Sequence, residues 1–286
     1  MDQETKRSLA LYAEKIRRGI IESTYHAKSG HPGGSLSIAE LLSCLYFGGF
    51  MRVDPADPKK ADRDRFVLSK GHAAPALYAA LANKGFFPVE DLKTLRKTDS
   101  YLQGHPNMNY VPGVDMSTGS LGQGISAAVG MALSSKLQGD LFRVYTVLGD
   151  GEIEEGEVWE ACMFAAAKKL DQLTVFVDNN NLQIDGTVEE VNSPYPIPEK
   201  FAAFGFYTIV IDGHDFDQLE AALNRAKEIK DRPTAVIMKT IKGKGVSYME
   251  NQVNWHGAAP KEEQYKIAIE EIDARIAALT AEGGEN

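Results

Sequence analysis

Short apolar segments alternate with amphipathic segments along most of the 286-residue chain. Strands are predicted for five apolar segments, which read RFVLS, FRVYTVLGD, LTVFVDNN, FYTIVIDG and TAVIMKTIKG. Amphipathic segments such as FDQLEAALNRAKEI lie between them and predict helices. Strands that are apolar on both faces and alternate with helices are typical of buried parallel sheets. The pattern therefore predicts an α/β fold, with a parallel sheet covered by helices on both faces.

Helical spacing also marks both ends of the chain. Apolar residues recur at helical intervals from Leu9 to Ile20, which predicts an N-terminal helix that ends at about Ala27. Ser37 is placed to cap a second helix, IAELLSCLYF, with Glu40 three residues later. The C-terminal segment EEQYKIAIEEIDARIAALTAEGGEN predicts a helix and a frayed tail. Since no repeat or linker divides the chain, we expect a single domain over residues 1–286, with a loop-rich N-terminal region.

Composition narrows the class of protein. The formal net charge of -9 argues against nucleic acid or a membrane surface as a general partner. The N-terminal segment is charged and amphipathic, and no apolar run approaches the ~20 residues of a membrane span, so we expect a cytoplasmic protein. Cys44 and Cys162 lie in apolar helical segments, which predicts buried thiols.

Polar residues follow two consecutive predicted strands where each strand ends. Asp150 stands in a Gly-Asp-Gly turn, and Asn180 lies in the DNNN segment 30 residues later. Ligands of open parallel sheets collect at the carboxyl ends of the strands, and carboxylate and amide oxygens suit Mg²⁺ or Ca²⁺. Gly149 and Gly151 would let the backbone approach a phosphate closely. The alternative is that GDG is only a tight turn and DNNN only a polar loop.

Several of these segments resemble those of a known family. GDG followed about 30 residues later by NN resembles the thiamine diphosphate motif, and the surrounding sequence resembles the N-terminal part of transketolases. The resemblance runs in family order from about Lys15 to Pro260. It rests on the segments SGHPGGSLS, SKGHAAPALYAAL, GHPN, DMSTGSLGQGISAAVGMAL, GDGEIEEGEVWEA, VDNNNLQIDG and WHGAAP.

The resemblance implies a site for thiamine diphosphate and Mg²⁺ (or Ca²⁺). The metal ligands that it implies are the side chains of Asp150 and Asn180 and the carbonyl of Leu182. The implied cofactor-binding residues are His72, Gly119, Leu121, Gly149, Asp150, Gly151, Asp178, Asn180, Ile184 and His256. The implied catalytic residues are His31, His72, His105, His256 and Glu155. Of these, Glu155 would pair across a dimer interface and join a proton path between two active sites.

The remaining polar residues near these motifs have simpler interpretations. His26 and His214 lack the support of a motif and are expected to be structural. Lys242 and Lys244, in KTIKGKGVSYM, could contact phosphate or could be solvated, and the sequence leaves both open. The acidic residues behind the GDG turn are expected to be solvated at a helix start, which the helix dipole favours; they are Glu152, Glu154 and Glu157.

Transketolases continue for several hundred residues into pyrimidine-binding and C-terminal domains, which this sequence lacks. The resemblance therefore implies the N-terminal subunit of a split transketolase, which transfers a two-carbon ketol unit from a ketose phosphate to an aldose phosphate in the pentose phosphate pathway. Its partner would be a C-terminal subunit that carries the pyrimidine-binding domain, in a heterotetramer of two subunits of each kind. Alternatives are a ketol transferase for an unusual sugar, a synthase of the deoxyxylulose-phosphate kind, and a non-catalytic cofactor-binding or regulatory subunit.

Overall fold

The structure, a computed structural model, describes residues 1–282, and its centre is a parallel five-stranded sheet. The strands are β1 (Arg65–Leu68), β2 (Val144–Gly149), β3 (Leu173–Asn179), β6 (Tyr207–Asp212) and β7 (Thr234–Lys239), and they lie in the order β1-β2-β3-β7-β6. A small antiparallel hairpin is formed by β4 (Leu182–Gln183) and β5 (Gly186–Thr187). The predicted fold class is confirmed, and so are all five predicted strands.

Helices cover the sheet and connect its strands. They are α1 (Gln3–Ala27), α2 (Pro32–Leu36), α3 (Ala39–Phe47), α4 (Ala74–Lys84), α5 (Gln123–Gln138), α6 (Gly156–Ala167), α7 (Val188–Asn192), α8 (Ile197–Ala203), α9 (Phe216–Glu228) and α10 (Glu262–Ala281). None of the helices within residues 1–282 combines the length and the apolar character needed to cross a membrane.

Successive strand residues point to opposite faces of the sheet and build two separate cores. On β2, Tyr145 and Val147 pack into the core formed with α1, α3, α4 and α9, whereas Val144 and Leu148 pack into the core formed with α5, α6 and α8. The two cysteines divide in the same way, Cys44 in the first core and Cys162 in the second, and both are 0% exposed. The prediction of buried thiols is confirmed, and burial raises the pKa of both.

The start of α3 differs from the prediction. Ile38, not Ser37, precedes the helix, and no side chain caps it. Ser37 instead ends α2, which runs almost directly into α3, and its hydroxyl donates to the buried carboxylate of Asp178 at 2.6 Å. The Ser37 cap is therefore wrong, because a carboxylate buried beside the sheet takes the hydroxyl. The predicted C-terminal helix is confirmed as α10, while the expected frayed tail lies outside the described residues.

Candidate active site

The carboxyl ends of β2 and β3 place a carboxylate and an amide side by side. In the sheet register Gly149 lies opposite Asp178, so Asp150 and Asn180 leave neighbouring strands at the same edge. One carboxylate oxygen of Asp150 accepts the N–H of Asn181 at 2.6 Å, and the other accepts the N–H of Gly151 at 3.0 Å. The Asn180 amide nitrogen donates to Asp178 at 3.0 Å, which fixes which end of that amide is the oxygen.

Asp178 is fully buried and receives donors from four segments. Its carboxylate accepts from Lys70 Nζ at 2.5 Å, Ser37 Oγ at 2.6 Å, Asn180 Nδ2 at 3.0 Å and Thr240 Oγ1. Burial disfavours its charged form, but the Lys70 ammonium and the hydroxyl donors outweigh burial and hold the pKa of Asp178 below its usual value. Asp178 therefore stays ionised and joins the ends of the strands to the α2–α3 segment.

A cavity of about 260 Å³ opens at this edge of the sheet. The structure brings most of the predicted site residues together in its lining, namely His31, His72, Gly119, Leu121, Gly149, Asp150, Gly151, Asp178, Asn180, Leu182, Ile184 and His256. Two predicted residues do not line it. The ring of His105 lies behind Gly119, whose φ of +142° and lack of a side chain allow this approach, since a Cβ would come within 2.9 Å of that ring. Glu155 is exposed, at the start of α6.

Three histidines form a cluster on one side of the cavity. The ring centroids of His31 and His72 are 5.2 Å apart, those of His72 and His256 5.3 Å, and those of His31 and His256 5.6 Å. Burial, with nearby Lys242 and the neighbouring rings, lowers the pKa of His31 to about 4 and that of His256 to about 3, and it lowers the pKa of His72 well below its usual value. All three imidazoles are therefore neutral at pH 7, and each has one nitrogen that can donate a hydrogen bond and one that can accept it.

Two lysines complete the polar lining. Lys242 is only 2% exposed, and its Nζ donates to the carbonyl of Leu182 at 2.7 Å and to Nδ1 of His256 at 2.8 Å. Burial lowers its pKa to about 8. Lys244, by contrast, is partly exposed and lies 3.5 Å from Glu250. Of the two interpretations left open by the sequence, Lys242 therefore lines the site and Lys244 does not.

Lys70 is a site residue that sequence reasoning missed. It is 1% exposed and lines the cavity between Gly34, whose carbonyl accepts from Nζ at 2.6 Å, and Asp178. The signal was present, because Lys70 follows β1 closely, just as Asp150 follows β2, and both strands end at the same edge.

Glu152 contradicts the expectation of a solvated acidic segment. It is buried, and it accepts from Ser69 Oγ at 2.5 Å and from the N–H groups of Gly122 and Gly149 at 3.0 Å each. Burial raises its pKa although these donors oppose the shift. The turn after β2 is tight enough to fold Glu152 back beneath it, so this carboxylate joins three segments around the cavity. Glu154 and Glu157 remain partly exposed.

The lining suits a cation bound to an anionic phosphate. Burial and the nearby Asp178 raise the pKa of Asp150 to about 7. A divalent cation bound to this carboxylate would stabilise its charged form. Asp150, Asn180 and Leu182, which carry oxygen atoms, and Lys70 and Lys242, which carry ammonium groups, all line the cavity. Within residues 1–282 no three His, Cys, Asp or Glu side chains group as metal ligands, so amide and carbonyl oxygens would have to complete the shell.

Comparison with known proteins agrees with this geometry. Residues 9–273 match the family described as transketolase, thiamine diphosphate binding domain. The chain belongs to the transketolase family. It is a transketolase-type transferase subunit, and the predicted resemblance is confirmed.

Two relatives are separate subunits of nearly the same length. The chain is 46% identical over 261 residues to a 6-deoxy-6-sulfo-D-fructose transketolase subunit from Clostridium sp. (strain MSTE9), covering 91% of this chain and 94% of that one. It is 42% identical over 275 residues to one of the subunits of apulose-4-phosphate transketolase from Phocaeicola vulgatus, covering 96% and 97%.

Longer transketolases share the same region. Mouse transketolase is 42% identical over 279 residues, which cover 96% of this chain and 44% of the mouse protein. The crystal structure of Campylobacter jejuni transketolase superposes with a TM-score of 0.86 at 32% identity, covering 98% of this chain and 46% of that one. The chain thus spans slightly less than half the length of these transketolases.

Proposed function

We propose that the chain is the cofactor-binding subunit of a two-chain transketolase that uses thiamine diphosphate and a divalent metal. The observation that carries the proposal is the cavity in which the oxygens of Asp150, Asn180 and Leu182 lie with the buried ammonium groups of Lys70 and Lys242. A metal–diphosphate pair needs this combination, because the metal takes oxygen ligands and the phosphates take N–H donors.

The residues of the chain divide the work of holding the cofactor. Asp150, Asn180 and the carbonyl of Leu182 are proposed to bind Mg²⁺ or Ca²⁺. In the structure this carbonyl accepts a hydrogen bond from Lys242, and a bound metal would take the place of that hydrogen bond. Gly151 leaves room for the diphosphate, since the nearest atom to a Cβ at this position would belong to Gln183, 3.4 Å away. Gly119, Leu121 and Ile184 are left to contact the ring systems of the cofactor.

When bound, thiamine diphosphate supplies a carbon nucleophile and an electron sink for breaking and forming the carbon–carbon bond of the sugars. The protein's part is placement and proton transfer. His31, His72 and His256 are neutral at pH 7, so each can donate a hydrogen bond to a sugar hydroxyl or accept one from it. His105, whose pKa is also lowered by burial and by Arg96, lies beside them behind Gly119.

A partner chain is proposed to close the cavity. Leu121 is 40% exposed and Ile184 67% exposed at its mouth, so the apolar wall is incomplete in this chain. Two relatives of nearly the same length are named as subunits. The longer mouse transketolase is more than twice the length of this chain. We propose a C-terminal subunit with the pyrimidine-binding domain, in a heterotetramer, with the exposed Glu155 at the interface.

The sugar substrate is the finer part of the proposal. A ketose phosphate donor and an aldose phosphate acceptor are the substrates of ordinary transketolases. The names of the two relatives of equal length favour a second candidate, an unusual sugar such as a sulfonated ketose or a branched sugar phosphate. Both candidates use the same cofactor site and differ only in the part of the substrate remote from the reacting carbons.

The test begins with cofactor binding. Titration calorimetry with thiamine diphosphate and Mg²⁺ on the chain, alone and with its co-purified partner, should give weak binding alone and tighter binding with the partner. Asp150→Ala should weaken binding at least about 100-fold, because a primary metal ligand is lost. Asp185→Ala is the matched control, since it removes an exposed carboxylate from the neighbouring hairpin and should leave binding unchanged.

Turnover then separates the candidate reactions. The complex is assayed with xylulose 5-phosphate and ribose 5-phosphate, and separately with 6-deoxy-6-sulfofructose or apulose 4-phosphate as donor. Sedoheptulose 7-phosphate from the first pair would support the ordinary reaction, and turnover of only the second group would support the unusual sugar. Tight cofactor binding without turnover of any pair would point to the non-catalytic alternative, and tight binding by Asp150→Ala would refute the metal assignment.

A further inference from the structure

The loop that carries Lys242 packs between the cavity and a second, buried polar cluster. We call residues 240–251 the lysine loop. On its cavity side the N–H of Gly243 donates to the carbonyl of Gly33 at 3.0 Å, and the Lys242 side chain runs to the cavity. The loop also closes on itself, since the N–H of Asn251 donates to the carbonyl of Lys242 at 2.9 Å. The direction of the Lys242 side chain therefore depends on how this backbone is held.

Three side chains from distant parts of the chain hold the loop backbone from the other side. The contacts are the N–H of Ile241 to Nε2 of His214 (2.9 Å), Nε of Arg17 to the carbonyl of Lys244 (3.0 Å), and a terminal nitrogen of Arg275 to the carbonyl of Gly245 (2.6 Å). They come from α1, from the turn after β6 and from α10. Because they fall before and after Lys242, they fix the backbone on both sides of that residue.

Two buried carboxylates join these three side chains into one network. Glu40 accepts from Arg17 and lies 3.1 Å from Nδ1 of His214, while Glu14 accepts from Arg17 at 2.8 Å and from Arg275 at 3.0 Å. Two carboxylates balance two guanidinium groups, so a neutral His214 leaves the cluster without net charge. We call Glu14, Arg17, Glu40, His214 and Arg275 the loop clamp.

The clamp has the properties of a positioning device. Buried ion pairs add little stability compared with well-packed apolar residues, because both charges lose their hydration. What they provide is direction, since a guanidinium or an imidazole binds a backbone group at a fixed angle. Here Nε of Arg17, a terminal nitrogen of Arg275 and Nε2 of His214 are each hydrogen-bonded to the backbone of the lysine loop.

We propose that the loop clamp positions Lys242 for the cofactor, and that Arg275 on α10 and His214 after β6 are positioning residues for cofactor binding although neither lines the cavity. The inference rests on the proposed function, because the group that Lys242 would face is the diphosphate. His214, expected from the sequence to be merely structural, thus receives a specific role.

Arg275→Gln and Arg18→Gln form a matched pair of variants. Both arginines join α1 to α10, Arg275 through Glu14 and Arg18 through Asp273, and they are 39% and 38% exposed. Only Arg275 contacts the lysine loop. Thiamine diphosphate affinity in excess Mg²⁺ should fall about tenfold in Arg275→Gln, the effect of one lost charged hydrogen bond, and should stay within about twofold of wild type in Arg18→Gln. Equal affinities of the two variants would overturn the proposal.

A measurement without cofactor separates failure of the clamp from failure of the proposed function. Hydrogen exchange of the amides of residues 241–246, and the rate of Lys242 acylation by a small amine-reactive ester, are compared in the same two variants. Both rates should rise severalfold in Arg275→Gln and not in Arg18→Gln. Unchanged rates would overturn the clamp even if the cofactor binds; faster rates in a chain whose wild type binds no thiamine diphosphate would overturn only the link to the cofactor.

Two variants of His214 test its positioning role separately. His214→Gln can place an amide oxygen near the position of Nε2 and accept from the N–H of Ile241, whereas His214→Leu cannot. His214→Gln should keep slow exchange at Ile241 and most of the cofactor affinity, and His214→Leu should lose both. Identical behaviour of Gln and Leu would show that His214 acts through packing alone and would contradict its positioning role.

Discussion

Glu152 joins three segments that surround the cavity. One carboxylate oxygen holds Ser69 after β1 and Gly122 before α5, and the other holds Gly149 at the end of β2. The side chain uses both oxygens as acceptors, which only a carboxylate can do in this setting.

Glu152→Gln should therefore destabilise the chain by about 1–3 kcal/mol, because the new amide nitrogen cannot accept the partly buried N–H of Gly149 and leaves it without this partner. Urea denaturation monitored by circular dichroism measures the change. Glu157→Gln, in the same acidic segment but partly exposed, is the control and should change stability by less than about 0.5 kcal/mol. A Glu152→Gln variant as stable as this control would show that the three hydrogen bonds are not needed.

The histidine cluster gives a dependence of stability on pH. The pKa of His256 is lowered to about 3 in the folded chain, against about 6.5 when unfolded, so between these values the unfolded chain binds a proton that the folded chain does not. Folded-state stability from this residue is thus lost as pH falls below about 6.5. Between pH 7 and pH 5 the wild type should lose about 2 kcal/mol of unfolding free energy through His256, and the His256→Asn variant should not. A difference between the two proteins that is independent of pH would contradict a neutral, partly buried His256.

At the scale of elements, α5 packs closely against the segment after β1 at one of its glycines. Its Gly124 faces the segment after β1, and a Cβ there would lie 2.5 Å from the Cα of Ser69. Gly130, two turns later on the same helix, faces open space. The one glycine permits a close approach, and the other only weakens the helix.

Alanine substitutions on α5 should therefore have opposite signs. Gly130→Ala should raise the unfolding free energy by about 0.5–1 kcal/mol through helix propensity. Gly124→Ala should lower it by about 1–3 kcal/mol, because backbone atoms must move to admit the methyl group. Thermal and urea unfolding of the chain without its partner measure both, and a stabilising Gly124→Ala would refute the close packing of α5 on Ser69.

Elements with a strong period could be predicted from the sequence, and elements set by tertiary contacts could not. The five strands and α1 carry their own apolar pattern. The hairpin of β4 and β5 and the short α8 carry little pattern, and they are held by contacts such as the packing of Phe201 in the second core. Local sequence rules predict a cap at Ser37 because they take no account of the buried Asp178, which accepts the Ser37 hydroxyl.

The site was predictable where residues stand at the ends of strands. Asp150 and Asn180 follow from strand order alone, since β2 and β3 are neighbours. Lys242 and Glu152 were not predictable, because charged residues are usually solvated and only the folded chain shows them buried. The loop clamp could not be predicted from the sequence either, since its residues lie as far apart along the chain as Glu14 and Arg275.

At the scale of the whole molecule, the sheet separates two cores, and the chain has one cysteine in each. Cys44 and Cys162 have no exposed surface, and burial raises the pKa of both thiols. A thiol reagent therefore finds nothing to modify in the folded chain and reacts only when a core opens. The two cysteines thus report separately on the opening of the core on each side of the sheet. Equal alkylation rates mean that the cores open together, and unequal rates mean that one side opens first.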